Sequence, residues 1–490
     1  MGVDAIRVRV NDVRYYMRNV RLRMPFRYGV AQLVGYPILH VRIDVETADG
    51  TRAEGVAADC LPPKWFDKDP AKDYEDNIDD MLTAVSDARD AYVGMGDEAR
   101  TPFDLFREGL DAVMDCADSQ DVNHLTACFG SSFFERAVVD AVGNALGRSY
   151  HDVVRENVLG VRMAAIHPEL GNTEPRDVVS DRPLPSMWVR HTVGLSDPIL
   201  DSDIAPGERL NDELPQSLEE YIARQRLRYF KIKVCGDIDI DVPRLRTIAR
   251  LLDSSIEDPY HISLDGNEQY LRIQSFLALV EELWSGPDFV RFFSSIKYIE
   301  QPMARDVALD PGISQPMTAL SHVKPVIVDE SDSELSTFKR AISVGYRGIS
   351  AKNCKGIYKS LLNQALARLY TQHSRDGRPY FLTGEDLANA AIVPLHQDLA
   401  TLATLGIGNA ERNGHHYLRG ITHLSDAERE AVLHAHPSLY TVRDGVPQLN
   451  VENGKIDLRS LQTPGYALGA PIDYDSMTPL DDWSFQSLSL

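Results

Sequence analysis

At 490 residues, 43% hydrophobic and 25% charged, the chain exceeds one ordinary domain and fits a large barrel plus a second domain with a sizeable core. Its formal net charge of −22 argues against a nucleic-acid or anionic-membrane partner, since both need basic patches. The five cysteines, Cys60, Cys116, Cys128, Cys235 and Cys354, are scattered without a CxxC pair, which excludes a zinc ribbon or a disulfide framework.

Reduced thiols, no basic or apolar leader at Met1-Gly2-Val3-Asp4 and no apolar run of about 20 residues lead to the expectation of a soluble, cytoplasmic protein. Residues 1–65 read as strands. Met24–Gly29 and Pro37–Glu46 flank a segment, Val30–Gly35, that reads as mobile, and alternation through Ile38–Val45 runs into the turn Asp49-Gly50. Between 72 and 160 the amphipathic runs Tyr74–Ala91 and Phe134–Gly147 predict helices, the second stopped by its glycine.

From about 184 short β-rich runs alternate with helical ones, the pattern of a parallel sheet. The predicted strands are Leu184–Val193, Tyr229–Val234, His261–Asp265, Ile296–Glu300, Pro325–Asp329, Gly348–Lys352, Tyr380–Gly384 and Ile407–Ala410. Eight such units fit a closed (β/α) barrel better than an open doubly wound sheet. The expected organisation is α/β: an α+β capping domain over 1–180, the barrel over 181–425, and a C-terminal extension over 426–490 packing back on the cap. The segment 195–217 reads as a long loop after the first barrel strand.

Barrel enzymes keep their chemistry at the carboxyl ends of strands. Here those ends read FKIKV, LDGN, YIEQP, VDES and SAKN, from the second strand to the sixth. Neighbouring strands lie about 4.8 Å apart, so Asp265, Glu300 and Asp329 can converge on one cation. Three hard oxygen donors suit Mg²⁺, with Mn²⁺ as an alternative, and a cation would relieve their mutual repulsion. The second and sixth strands are opposite in an eight-stranded barrel, so Lys233 and Lys352 should face each other across the mouth. A substrate carboxylate there would have its α-carbon between two amines, while a metal stabilised the enediolate formed on proton loss. A base must be neutral, and Lys231, on the same strand face as Lys233, is expected to lower its neighbours' affinity for protons. Singly, each residue has a structural explanation, as a solvated edge or a helix cap; all of them in order at strand ends do not.

The series FKIKV, LDGNE, YIEQP, VDES and SAKNCKG resembles the signature of the enolase superfamily, nearest the muconate-lactonizing branch of the mandelate racemase/muconate lactonizing enzyme family. The resemblance implies that Lys233 and Lys352 are the two bases and that Asp265, Glu300 and Asp329 bind the metal. It implies supporting roles for Lys231 and Asn267, and Glu330 matches the acidic residue after the third ligand. Pro25-Phe26, Leu39–Ile43 and Asp49-Gly50 resemble the capping meander, and Phe134–Gly147 the helix before the barrel, so the likeness spans roughly residues 20–420. The chain departs from the family in having one glycine, Gly356, where two often follow the sixth strand, no histidine after Gly384, and extra length through 93–130, 195–217 and the tail. These departures bear on substrate rather than fold.

Glu385 and Asp386 are candidate substrate contacts, as are Tyr28 and Gln32 in the capping segment. Glu411–Tyr417 is either a reader of the distal substrate end or a surface turn. His396 and Asp398 read as structural, and Trp65 and Trp188 as packing residues. The function expected is a Mg²⁺-dependent racemase or epimerase acting on a small carboxylate, within a homo-oligomer. A lyase (acid-sugar dehydratase) or cycloisomerase using the same enediolate, or a non-catalytic metal- or ligand-binding scaffold, are the alternatives.

Overall fold

Two long strands, β1 (Val8–Tyr28) and β2 (Ala31–Thr47), pair antiparallel, and β3 (Arg52–Cys60) extends the sheet. The computed structural model describes residues 5–96 and 98–490; Met1–Asp4, read above for a leader, and Asp97 lie outside them. Val30–Gly35 is not a loose segment. Gly29, at φ +48, makes a tight turn, and Ala31, Leu33 and Gly35 then alternate inward as the start of β2. Alternation also exposes Gln32.

Two of the next three helices cover this sheet, and the other packs on both of them. Asp73 caps α1 (Tyr74–Gly94) in a capping box with Asp76, and Thr101 caps α2 (Pro102–Gln120), which opens on proline and lies within the extra length at 93–130. The third, α3 (His124–Leu146), starts on the Asn123 cap and ends at left-handed Gly147. It is buried from Leu125 to Gly143, so it has no polar face for water. Close approach explains the small residues beneath it: a Cβ on Gly55 would stand 2.0 Å from the Ala137 carbonyl oxygen. Gly55→Ala should therefore destabilise the protein by about 1–3 kcal/mol through overpacking, read as a lower urea midpoint at unchanged slope.

The barrel strands are β4 (Ser186–Val193), β5 (Tyr229–Lys233), β6 (His261–Asp265), β7 (Ile296–Glu300), β8 (Val326–Val328), β9 (Gly348–Ala351), β10 (Phe381–Gly384) and β11 (Asn409–Glu411). All neighbours are parallel, and β11 returns to pair with β4 from Asn409↔Trp188 to Glu411↔Arg190. That pairing closes the ring and rules out the open sheet. β5 and β9 stand four strands apart, on opposite walls. The last strand ends one residue later than the sequence suggests, at Glu411. Near the C-terminus, β12 (Tyr440–Arg443) and β13 (Val446–Leu449) form a hairpin, and β14 (Lys455–Asp457) pairs antiparallel with β4. Finally, β15 (Thr478–Pro479) adds to the edge of β1 at Tyr16 and Met17. Among the described residues, no helix is long and apolar enough to cross a membrane.

Helix α3 meets the barrel through Glu135. Its carboxylate accepts from the backbone N–H groups of Ile357 (2.9 Å) and Tyr358 (3.4 Å), at the start of the helix Ile357–Gln372 that follows β9. Burial pushes the Glu135 carboxyl up to about 7, against those two donors. A raised carboxyl favours folding most below the ordinary carboxylate range, and that contribution is lost as pH rises towards 7. Glu135→Gln does not titrate, so between pH 5 and pH 8 stability should shift in favour of the variant by about 1–3 kcal/mol. Urea unfolding at the two pH values checks this; an equal difference at both would contradict it.

Candidate active site

Strand alternation turns Lys231 and Lys233 of β5, Asp265 of β6, Glu300 of β7 and Ser350 of β9 towards the barrel axis. They meet as a network of charge. The Lys231 ammonium donates to Glu300 Oε1 (2.7 Å), Glu385 Oε2 (2.9 Å) and Glu411 Oε2 (2.9 Å), and lies 3.0 Å from Asp265 Oδ2. Lys233 donates to Asp265 Oδ2 at 2.6 Å, and Lys352 to Asp329 Oδ2 at 2.6 Å. Lys355 and Ser350 close round the same aspartate. Arg190 reaches Glu385 Oε1 at 2.5 Å, and the Tyr298 hydroxyl donates to it at 3.0 Å.

The electrostatics correct one expectation. Burial works against the Lys231 charge, but the four carboxylates round it hold its pKa well above the ordinary lysine range. Lys231 does press down on Lys352, as expected, yet burial and Lys231 are outweighed by Asp329, Glu411 and Glu300 together, and Lys352 is also raised. Lys231 is thus an ion-pair hub, and its charge does not suffice to neutralise Lys352. Burial would raise the Asp329 carboxyl, but Lys352 and Lys355 bring it well below its usual range. Glu300, buried and facing Asp265 and Glu385, is instead pushed well above.

A narrow cleft opens above the network, lined on its polar side by Lys231, Lys233, Asn267, Asp329, Lys352, Asp386, Glu411 and Asn413. Its outer wall is apolar: Phe26, Tyr28 and Leu33 from the capping hairpin, Pro62 and Trp65 from the loop after β3, and Leu387 and Ala388 after β10. Tyr28 is therefore at the cleft, with its hydroxyl donating to the Pro63 carbonyl (2.8 Å). Gln32 points to the other face of the hairpin, and its neighbour Leu33 takes the place assigned to it. Trp65 is also corrected: it lines the cleft, and the Lys352 ammonium sits 4.3 Å from its ring centre. Trp188 does pack, against Tyr229 and Lys455.

Asp265, Glu300, Glu330 and Glu385 are fully buried beneath the lining. Asn267 donates to Glu330 Oε1 at 3.1 Å, and its own backbone N–H donates to Asp265 Oδ1 at 2.8 Å. Asn267, Glu268, Gln301 and Ala388, on the loops after β6, β7 and β10, all have positive φ, a clustering of non-glycine strain that functional loops carry. Glu411, read from sequence only as the start of a turn or substrate reader, accepts from Lys231, from the Thr192 hydroxyl (2.7 Å) and from the Asp386 backbone (3.0 Å). His396 and Asp398 stay outside the cleft, held by Tyr440 and Arg412 respectively.

Three carboxylates supply hard oxygen donors, and the buried Glu300 Oε2, Glu330 Oε2 and Asn267 Oδ1 have no hydrogen-bond partner. Orphaned buried oxygens among carboxylates fit a small divalent cation.

No family model matches the sequence, and no curated protein matches it. Solved structures do. The muconate lactonizing enzyme of Pseudomonas fluorescens, determined with muconolactone, matches at a TM-score of 0.58 and 16% identity over 95% of this chain and 97% of that one. An N-succinyl Arg/Lys racemase from Bacillus cereus matches at 0.57 and 16% identity, over 95% and 96% of the two chains. A dipeptide epimerase from Enterococcus faecalis, determined with Mg and a dipeptide, matches at 0.56 and 12%, over 94% and 99%. The chain has the fold of these muconate-lactonizing, racemase and epimerase enzymes, an eight-stranded (β/α) barrel beneath an N-terminal α+β cap.

Proposed function

We propose that the protein is a metal-dependent enzyme that removes the α-proton of a small carboxylate, with Lys233 and Lys352 as the two bases of a racemase or epimerase. The observation that carries this reading is the presence of both lysines, from opposite barrel walls, in one cleft with Asp329. Asp265, Glu300 and Asp329 would hold Mg²⁺, or Mn²⁺, with Glu330 and Asn267 beside them. The ion would act as a Lewis acid, stabilising negative charge that develops on the substrate carboxylate.

The protein's own groups divide the remaining work. Lys231, charged and held by four carboxylates, keeps the floor of the site rigid rather than moving a proton. Glu385 and Glu411 hold Lys231 in place. Lys352, between Asp329 and the face of Trp65, has its nitrogen confined to a narrow range of positions. Phe26, Leu33, Trp65 and Leu387 exclude water and accept an apolar substituent.

That apolar wall favours a racemase, epimerase or cycloisomerase over an acid-sugar dehydratase, whose polyhydroxylated substrate needs many hydrogen-bonding partners. The racemase and epimerase structures share this fold, so N-acylated amino acids and dipeptides with apolar side chains are the first compounds to try. The test is ¹H NMR of such a panel, with muconolactone and sugar acids alongside, in D₂O with Mg²⁺. Loss of the α-proton signal together with inversion supports the reading. Formation of a keto acid would establish the dehydratase, and no exchange across the panel, with or without Mg²⁺, would count for the binding scaffold.

A further inference from the structure

His191 lies on β4, where Arg190 and Thr192 point into the barrel and the alternation turns the histidine to the outer face. His415 and His416 lie in the short helix Gly414–Tyr417 just after β11. Because β11 pairs with β4 at the closing seam, three imidazoles far apart in sequence meet outside the barrel wall. One nitrogen from each can be chosen so that all lie within 4.8 Å of one another.

Their hydrogen bonding leaves lone pairs free to converge. His415 Nδ1 is held by the Arg412 carbonyl, which assigns the proton to Nδ1 and leaves Nε2 as the bare nitrogen. That Nε2 faces His191 Nδ1 at 3.4 Å. This is long for an N–H···N bond, whereas two ligands of one tetrahedral ion, with metal–nitrogen bonds of about 2.0–2.1 Å, stand about 3.4 Å apart. His416 is buried, and neither of its ring nitrogens has a hydrogen-bond partner, a state that is costly unless something else satisfies it. Asp197 Oδ2, 3.8 Å from His416 Nε2, is beyond hydrogen-bond range and already accepts from the Tyr417 hydroxyl (2.6 Å) and the Gly194 N–H (2.8 Å). The nearby cations are otherwise engaged: Arg23 with Asp212, and Arg412 with Asp398. Burial, and then the neighbouring imidazoles, hold His191 and His416 well below the ordinary histidine range, in the neutral form that ligates. A small cleft lined by Arg412, Asn389 and Leu418 reaches His415.

We propose that His191, His415 and His416 form a second metal site, separate from the carboxylates inside the barrel and suited to a borderline divalent ion of the zinc, cobalt or nickel kind. Nitrogen ligands select such ions over Mg²⁺. An ion there ties the first barrel strand to the loop after the last, across the seam where the ring closes.

The test uses full-length protein without a histidine tag, stripped with chelator and titrated with Co²⁺ in excess Mg²⁺. One equivalent should bind and give the strong visible bands of a four-coordinate site, and Zn²⁺ should displace it and raise the melting temperature. His415→Gln, at a partly exposed position, and His191→Asn should each abolish the bands and the Zn²⁺-dependent rise, while circular dichroism shows the fold intact. Glu300→Gln should leave both signals in place. Absence of the bands in the wild type, their survival in both histidine variants, or their loss in Glu300→Gln alone would each overturn the proposal.

Discussion

Lys233→Ala and Lys352→Ala are each expected to slow inversion of the α-centre by about 10²–10⁴-fold, the usual contribution of a positioned general acid or base. The more telling expectation concerns exchange. With one lysine gone, the enantiomer whose α-proton faces the remaining lysine should still trade that proton for deuterium, but return unchanged in configuration. The opposite enantiomer should not exchange. Each pure enantiomer, incubated in D₂O with each variant and followed by ¹H NMR and chiral chromatography, gives the answer. If both variants exchanged both enantiomers at the wild-type rate, neither lysine would be a base. Lys355 remains beside Asp329 in Lys352→Ala, so that carboxylate keeps a cationic partner and the fold should survive.

Lys231→Met should be costly to stability. It removes one ammonium from the midst of Asp265, Glu300, Glu385 and Glu411, all buried. Breaking a buried pair from one side costs about 3–5 kcal/mol, because an unpaired charge is left in a low-dielectric interior. The penalty should depend on pH. For Asp265 and Glu411, burial favours the neutral acid, but Lys231 and Lys233 outweigh it and lower both pKa values. Carboxyls lowered in this way stabilise the fold above their ordinary range, and lose that contribution as pH falls through and below it. The variant has less of that contribution to lose. Its deficit against wild type should therefore be largest near pH 7–8 and smaller near pH 4.5, measured by urea unfolding at both. A deficit under about 1 kcal/mol at neutral pH would mean that the carboxylates simply take up protons at little cost.

The fold was legible because two kinds of signal agree. Barrel strands are short β-rich runs, all but the first ending on, or followed at once by, a charged residue, and helices announce themselves by caps such as Asp73 and stops such as Gly147. The lysines and acidic residues of β5 to β9 could be read in order because each sits at the end of such a run. Glu411 was harder. Its strand has only three residues and follows a glycine-flanked stretch, so the boundary fell one residue short and hid its inward direction. Trp65 sits in the loop after β3, where no periodicity says which way a side chain faces. Leu33 was missed through parity: a loop has none, but a hairpin does, and once Val30–Gly35 is paired strand, Gln32 and Leu33 must face opposite ways. The histidine cluster depends on ring closure joining β4 to β11, a relation that single-chain patterns do not contain.

The ladder between β1 and β2 is interrupted between Arg21 and Phe26, and beyond the break only three residue pairs, Phe26↔Leu33, Arg27↔Gln32 and Tyr28↔Ala31, carry the tip. Those few residues supply much of the apolar wall over the cleft, while the long ladder behind them holds the cap. On the proposed function, selectivity and scaffold are borne by different stretches of one ribbon. Exchanging the tip for a longer or more polar hairpin offers a way to redirect the enzyme to other acids without touching the lysines, the carboxylates or the cap they lie under.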